Sequence, residues 1–279
     1  MLKTYLDYPV EVVDLNPAGE RLIVLLHGFG ASTFSWSPVL DDFAQLGHVI
    51  AYDRPGFGFT PLVDRVGKSV DPYSLQGQVE LLGAVIEQEA RGRQVTLVGH
   101  SAGAMVAAEF SLRNPQAASA LIMESPAIWR QPPVPSGLAK LLRRPRFEKL
   151  AEKLLGSFEK AGMKILYDSY FDRSKLTEET IEGYRSPMAN GDWKRSLWRF
   201  MTADQSNDVR ANLWRFSLPV FIITGDHDKI VKVEDTFKVA ESILGHKIYL
   251  APNAGHLAHE EQPADFMRVV TNYIARVSA

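Results

Sequence analysis

A Gly-His-Ser-Ala-Gly sequence at residues 99–103 places a serine directly between a short apolar run and a helix-like segment. Residues 95–98 are typical of a buried strand, and residues 102–113 have the composition of a helix. A direct turn from strand to helix is sharp and holds its middle residue, Ser101, in a strained backbone conformation. The glycines two positions on either side remove side chains that would collide there. The sequence therefore predicts a raised hydroxyl at the N-terminus of a helix.

The alternation of apolar runs and helical segments extends through most of the chain. Two short strand-like segments open it, and further apolar runs follow at 21–26, 48–52, 95–98, 120–123, 219–224 and 247–250. Strands that alternate with helices form a mostly parallel sheet with helices on its faces. We therefore predict an α/β fold with a mostly parallel, eight-stranded sheet flanked by helices.

The alternation stops between residues 126 and 216, where only helical segments are predicted. This stretch begins with a proline-rich sequence at 131–135. We expect it to form an all-helical cap, inserted after the sixth strand. The cap should lie over the carboxyl ends of the strands, where ligands bind in open α/β sheets. The predicted organisation is a core of residues 1–125 and 217–279 with a cap of residues 126–216.

Composition excludes several classes of function. The chain has 31 Lys and Arg against 33 Asp and Glu, so it lacks the basic excess of a nucleic-acid-binding protein. It has no cysteine, which excludes disulfides, thiolate nucleophiles and cysteine metal sites. We see no metal-ligand spacing, and we expect neither a metal nor a cofactor. With no signal peptide and no bilayer-length apolar run, we expect a cytoplasmic monomer or homodimer without stable membrane association.

A serine alcohol is a poor nucleophile at neutral pH and needs a base, which in turn needs an orienting acid. We expect both residues to follow the serine along the chain, the acid first and the histidine second. His256 follows the last predicted strand and is our candidate base. His259 is the local alternative, but Gly255 favours His256 as the histidine in a tight loop.

Three carboxylates at strand ends are candidates for the acid. Asp226 and Asp228 both follow the predicted strand at 219–224. We favour Asp228, which lies deeper in the loop and should reach the far nitrogen of His256. Asp226 is the turn residue that bonds local backbone in this interpretation. Glu124, after the strand at 120–123, is a third possibility.

The developing oxyanion needs hydrogen-bond donors, and backbone amides supply them regardless of side chain. The amide of Ala102 is the first candidate, and that of Phe29, after the strand at 21–26, is the second. Phe34, Trp129 and His100 are our candidates for contact with an apolar substrate.

Five short motifs occur in the order seen in one known superfamily. They are His-Gly-Phe-Gly at 27–30, Asp-Arg-Pro-Gly-Phe-Gly at 53–58, Gly-His-Ser-Ala-Gly at 99–103, Gly-Asp-His-Asp at 225–228, and Gly-His at 255–256 with Glu-Gln-Pro at 261–263. With these motifs the chain resembles the α/β-hydrolase superfamily, in particular its single-domain serine hydrolases with a helical lid. The resemblance covers nearly the whole chain but not the cap, which carries no matching motif.

The resemblance implies a catalytic triad and an oxyanion hole. Ser101 would be the nucleophile on its elbow, Asp228 the acid and His256 the base, and the Phe29 and Ala102 amides would form the oxyanion hole. Haloalkane dehalogenases and epoxide hydrolases of this fold use an aspartate nucleophile, so a serine at this position argues against both activities.

Several reactions share this triad. Carbon–carbon hydrolases of ring-fission products typically have a Ser/His-Gly-Gly-Gly turn and a tryptophan after the catalytic histidine. Here those positions hold His-Gly-Phe-Gly at 27–30 and Leu257. We therefore expect a serine carboxylesterase that acts on small to medium hydrophobic esters through an acyl-enzyme. The alternatives are a carbon–carbon hydrolase, a lactonase or perhydrolase-like enzyme, and a ligand receptor without turnover.

Overall fold

The computed structural model describes residues 1–65, 67–129, 134, 136–144, 147–149, 158–189 and 192–278. Eight strands form one sheet in the order β1-β2-β4-β3-β5-β6-β7-β8. Strands β1 and β2 pair in antiparallel fashion, as do β2 and β4, and the remaining neighbours are parallel. The strands are β1 (Leu2–Tyr5), β2 (Tyr8–Leu15), β3 (Arg21–Leu26), β4 (His48–Tyr52), β5 (Gln94–His100), β6 (Ala120–Glu124), β7 (Val220–Gly225) and β8 (Lys247–Ala251). The predicted mostly parallel, eight-stranded sheet is confirmed.

Helices lie on both faces of this sheet and in the long insertion between β6 and β7. They are α1 (Leu40–Leu46), α2 (Leu75–Ala90), α3 (Ala102–Arg113), α4 (Ser136–Leu142), α5 (Phe158–Ser169), α6 (Glu178–Arg185), α7 (Trp193–Thr202), α8 (Val209–Asn212), α9 (Val233–Glu241), α10 (Ala258–Glu261) and α11 (Pro263–Ser278). In the described part of the chain, no helix has both the length and the apolar composition that crossing a bilayer requires.

The central strand β3 shows why short apolar runs suffice for a sheet covered on both faces. Successive side chains of a strand point to opposite sides. Leu22 and Val24 lie in the hydrophobic core shared with α2 and α3, whereas Ile23 and Leu25 lie in the core shared with α1 and α11. A strand buried on both faces needs apolar residues at consecutive positions, which is what the sequence provides.

The insertion between β6 and β7 contains helices α4 to α8 and no strand among its described residues. The predicted helical insertion after the sixth strand therefore agrees with the structure, and we call it the cap. Most of its proline-rich start at 131–135 lies outside the described residues. The exact boundaries of cap and core, at residues 126 and 216, stay a prediction.

A buried charge network joins the antiparallel edge of the sheet to α2. The Lys3 ammonium lies 2.7 Å from Asp14 Oδ2 and 2.7 Å from Glu89 Oε1. The Tyr5 hydroxyl donates to the same Glu89 oxygen, and His48 Nε2 lies 2.8 Å from Asp14 Oδ1. Burial acts to lower the pKa of Lys3, but the two carboxylates outweigh it and raise that pKa. The ligand atoms of Asp14, His48 and Glu89 are close enough for a metal ion, but here the Lys3 ammonium pairs with both carboxylates.

We expect Lys3→Met to lower the free energy of unfolding by about 1–2 kcal/mol, because Glu89 stays buried without its cation. Water moderates the loss, since Lys3 is itself partly exposed. Urea denaturation at neutral pH measures the change. Lys238→Met is the matched control, because its ion pair with Asp235 is exposed, and its unfolding midpoint should stay that of the parent chain. Equal midpoints for the two variants would contradict the assignment.

Candidate active site

Ser101 lies in the sharp turn between β5 and α3. Its backbone has φ 52° and ψ −111°, a conformation that side-chain-bearing residues rarely adopt. A Cβ atom on Gly99 would lie 2.6 Å from Ala104 Cα, and one on Gly103 would lie 2.2 Å from the Leu26 carbonyl oxygen. Both flanking glycines are therefore required by close backbone contacts. The strained serine turn predicted from the sequence is present.

The loops after β7 and β8 bring Asp228 and His256 together. His256 Nδ1 donates to Asp228 Oδ2 over 2.8 Å, and both side chains are buried. The other oxygen of Asp228 accepts hydrogen bonds from the amides of Ile230 and Val231, at 2.8 and 2.9 Å. Burial acts to raise the pKa of Asp228, but the His256 ring and these donors hold it below its usual value. The carboxylate therefore stays ionised at neutral pH and fixes the His256 tautomer.

A cavity of about 160 Å³ contains Ser101 and His256 in its wall. It lies at the carboxyl ends of the parallel strands, between the sheet and helices α5, α6 and α7 of the cap. Its cap side is mostly apolar: Met163, Ile165, Leu166, Met188, Trp193 and Leu197. The cap thus forms the wall of the cavity that faces Ser101.

The turn after β3 approaches Ser101 closely. A Cβ atom on Gly28 would lie 3.4 Å from Ser101 Cβ, and the next residue, Phe29, lines the cavity. Ala102 is the first residue of α3, so its N–H has no partner within the helix. Among the described residues, neither the Phe29 nor the Ala102 amide donates a backbone hydrogen bond. Both amides therefore stay candidates for the donors of an oxyanion hole.

His100 packs behind His256. Its Nε2 donates to the His256 carbonyl oxygen over 3.0 Å, and the two rings lie 4.6 Å apart. A Cβ atom on Gly28 would lie 2.7 Å from His100 Nδ1. Burial, reinforced by His256 and His259, lowers the pKa of His100 well below its ordinary value, so this ring is neutral. His100 borders the cavity, and its ring also contacts the His256 and His259 rings.

Residues 23–269 match the sequence model of the alpha/beta hydrolase family. The chain belongs to the alpha/beta hydrolase family. This α/β-hydrolase is 25% identical over 269 residues to the monoacylglycerol lipase ABHD6 of Homo sapiens, covering 94% of this chain and 77% of that protein. It is also 25% identical over 280 residues to the 2-hydroxy-6-oxononadienedioate/2-hydroxy-6-oxononatrienedioate hydrolase of Comamonas testosteroni, covering 94% and 91%.

Solved structures share the architecture of this α/β-hydrolase. A thermophilic esterase from Thermogutta terrifontis matches it with a TM-score of 0.79 at 19% sequence identity, covering 100% of this chain and 99% of the other. At this identity the likeness shows the fold alone. The family and its relatives establish a hydrolase, as the sequence motifs predicted.

The two aspartates that the sequence left in competition occupy different places in this α/β-hydrolase. Asp228 is the one that contacts His256. Asp226 Oδ1 lies 2.6 Å from His227 Nδ1 and accepts a hydrogen bond from the Ala254 amide. Asp226 therefore ties the loop after β7 to the loop after β8, so the expectation that it bonds local backbone is wrong.

The other two alternatives, Glu124 and His259, form a separate buried pair. His259 Nδ1 lies 2.6 Å from Glu124 Oε2, and both side chains are fully buried. The Trp36 ring covers the His259 ring at 4.4 Å. Burial acts to lower the pKa of His259, but Glu124 outweighs it and raises that pKa. Neither residue borders the cavity.

Two pocket candidates from the sequence do not reach the cavity. The Phe34 ring contacts Tyr184 and packs against Gly183 of α6. Trp129 packs on the main core with the Arg210 guanidinium 4.7 Å above its ring. Neither borders the cavity around Ser101. The cap side chains that do line it carry no motif, and only the apolar spacing of the cap helices hinted at them.

We expect Asp228→Asn to slow the labelling of Ser101 by a fluorophosphonate about 10³- to 10⁴-fold, because an asparagine amide favours the wrong His256 tautomer. Mass spectrometry of the labelled peptide measures the rate. Asp226→Asn is the matched control and should keep the parent rate, since Asp226 does not contact His256. Equal losses in the two variants would contradict the assignment of the acid.

Proposed function

We propose that this α/β-hydrolase is a serine carboxylesterase acting on compact, neutral, hydrophobic esters. The observation that carries the proposal is the His256 ring, held by Asp228, in the same cavity wall as the strained Ser101. A base of fixed tautomer and a raised hydroxyl are the two parts that acyl transfer to serine requires.

The proposed reaction follows from these positions. Ser101 Oγ attacks the ester carbonyl carbon while His256 Nε2 takes the hydroxyl proton. The carbonyl oxygen becomes an oxyanion and accepts hydrogen bonds from the Phe29 and Ala102 amides. His256 then gives its proton to the leaving alkoxide, which departs as an alcohol. Water, activated by the same histidine, attacks the acyl-enzyme and releases the acid.

The volume of the cavity supports a compact substrate. A cavity of about 150 Å³ accommodates a molecule such as benzene, and the one around Ser101 is of that size, about 160 Å³. Acetyl, butyryl and benzoyl groups fit this space. Two methionines in the cap wall, Met163 and Met188, are unbranched and adapt to somewhat longer chains.

The charge of the cavity wall favours a neutral ester over a carboxylate-bearing substrate. Among the described residues, no lysine or arginine lines the cavity, and Asp192 is the carboxylate that does. A substrate carboxylate buried there would lose water without gaining a cation, which is strongly unfavourable. The Comamonas testosteroni relative acts, by its name, on a dioate, whereas a monoacylglycerol is a neutral ester. The wall therefore supports the ester reaction over the carbon–carbon alternative.

We expect Ser101→Ala to lose at least about 10⁴-fold in kcat on p-nitrophenyl butyrate, because the acyl-enzyme cannot form. Release of p-nitrophenolate is followed by absorbance. Activity equal to the parent would contradict the proposal. The same parent protein is given a ring-fission diketone and a lactone in parallel, and turnover faster than that of the ester would favour those alternatives.

We also expect p-nitrophenyl hemisuccinate to be hydrolysed with kcat/KM at least about 10-fold below that of its neutral methyl succinate counterpart, because the free carboxylate finds no cation in the cavity. The two substrates match in acyl length and leaving group, so the comparison isolates the charge. Equal kcat/KM values would show that the wall does not select neutral esters.

A further inference from the structure

One short piece of the cap crosses directly over the loop that carries His256. This cap segment, residues 169–172, starts at the last residue of α5. The His256 amide donates to the Ser169 carbonyl oxygen over 2.7 Å. The backbone of the candidate base is thus bonded to the cap, and not only to the core of the fold.

Glu261 joins the same two pieces of backbone through its side chain. Its carboxylate accepts hydrogen bonds from the amide of Gly255 at 2.6 Å, from that of Phe171 at 3.0 Å and from that of Asp172 at 2.9 Å. The side chain is almost completely buried. Amide hydrogen bonds to a buried carboxylate are among the stronger ones in proteins. One carboxylate therefore binds the residue before His256 and two residues of the cap segment.

Gly255 shows how closely the cap segment approaches. A Cβ atom there would lie 2.2 Å from the Ser169 carbonyl oxygen and 2.8 Å from the Phe171 amide nitrogen. The residue has no left-handed backbone conformation that would itself call for glycine. The glycine of the Gly-His motif is therefore required by the passage of the cap backbone.

The cap segment also contacts the loop that carries the acid. The Phe171 ring stacks on the His227 ring at 3.8 Å, and His227 is the neighbour of Asp228. The His227 amide donates to the Ala254 carbonyl oxygen over 3.0 Å, which ties the acid loop to the base loop. A single segment of four residues thus contacts both loops that carry the acid–base pair.

We propose that Glu261 is a positioning residue for His256. Its carboxylate fixes the Gly255–His256 backbone to the cap segment, which makes this edge of the cap a permanent part of the site. The expected effect on catalysis rests on the proposed function, since it takes His256 as the base.

The test compares Glu261→Gln with the parent in two measurements. A glutamine offers one acceptor oxygen, and its NH₂ group faces amide donors, so the three-amide site cannot form. We expect kcat on p-nitrophenyl butyrate to fall about 10- to 100-fold with KM within about twofold, because a small misplacement of a catalytic group has that effect. Hydrogen exchange should rise in peptides covering 253–257 and 169–173 together.

Tyr170→Phe is the matched control. It removes a different hydrogen bond between the same cap segment and the core, from the Tyr170 hydroxyl to Glu260, and leaves the Gly255–His256 backbone bonded. It should keep the parent kcat. A Tyr170→Phe loss as large as that of Glu261→Gln would overturn the proposal in favour of general cap docking. A parent-like kcat in Glu261→Gln would overturn it too.

Two further results keep the inference separate from the proposed function. If Ser101→Ala is fully active, the proposed function fails. Hydrogen exchange of Glu261→Gln then decides alone whether Glu261 fixes the Gly255–His256 backbone to the cap segment. A rise confined to one of the two peptides overturns the proposal. If Glu261→Gln does not fold, Glu261→Asp replaces it, because the shorter carboxylate cannot reach all three amides. Parent-like exchange and kcat in that variant overturn the proposal.

Discussion

The close backbone packing around Ser101 is the constraint on which the rest of the site depends. Gly103 of α3 touches the end of β3, and Gly99 of β5 touches the first turn of α3. These contacts restrict Ser101 to one position, at the carboxyl edge of the sheet. Because β7 and β8 run parallel to β5, their following loops reach the same edge and deliver Asp228 and His256. Strain in one residue and the direction of three strands thus define the site.

The core and its motifs could be predicted because their signals are local. Apolar runs mark the buried strands. Glycines two residues on either side of Ser101 mark a turn that would be too crowded for side chains at those two glycine positions. The sequence also predicted Asp228 over Asp226 as the acid, since only Asp228, deeper in the loop, reaches across to His256. The distances then show what spacing alone could not, that Asp226 joins its own loop to the loop that carries His256.

The pocket could not be predicted in the same way. Phe34 and Trp129 are aromatic and close in sequence to site residues, but their side-chain directions are set by α6 and by the main core. Met163 and Leu166 line the cavity because α5 packs across the strand ends, which is a tertiary fact without a motif. The pairing of Glu124 with His259 was hidden for a similar reason. Each residue alone resembles a member of a catalytic triad, and only the fold shows that they contact each other and do not border the cavity.

The passage of the cap backbone over Gly255 has a consequence for modular evolution and for protein engineering. Cap side chains line the cavity, so exchanging the cap is an attractive route to new substrates. Here the core loop and residues 169–172 share one set of hydrogen bonds and leave no room for a side chain between them. A chimera that takes its cap from a relative must therefore inherit this segment together with the histidine loop.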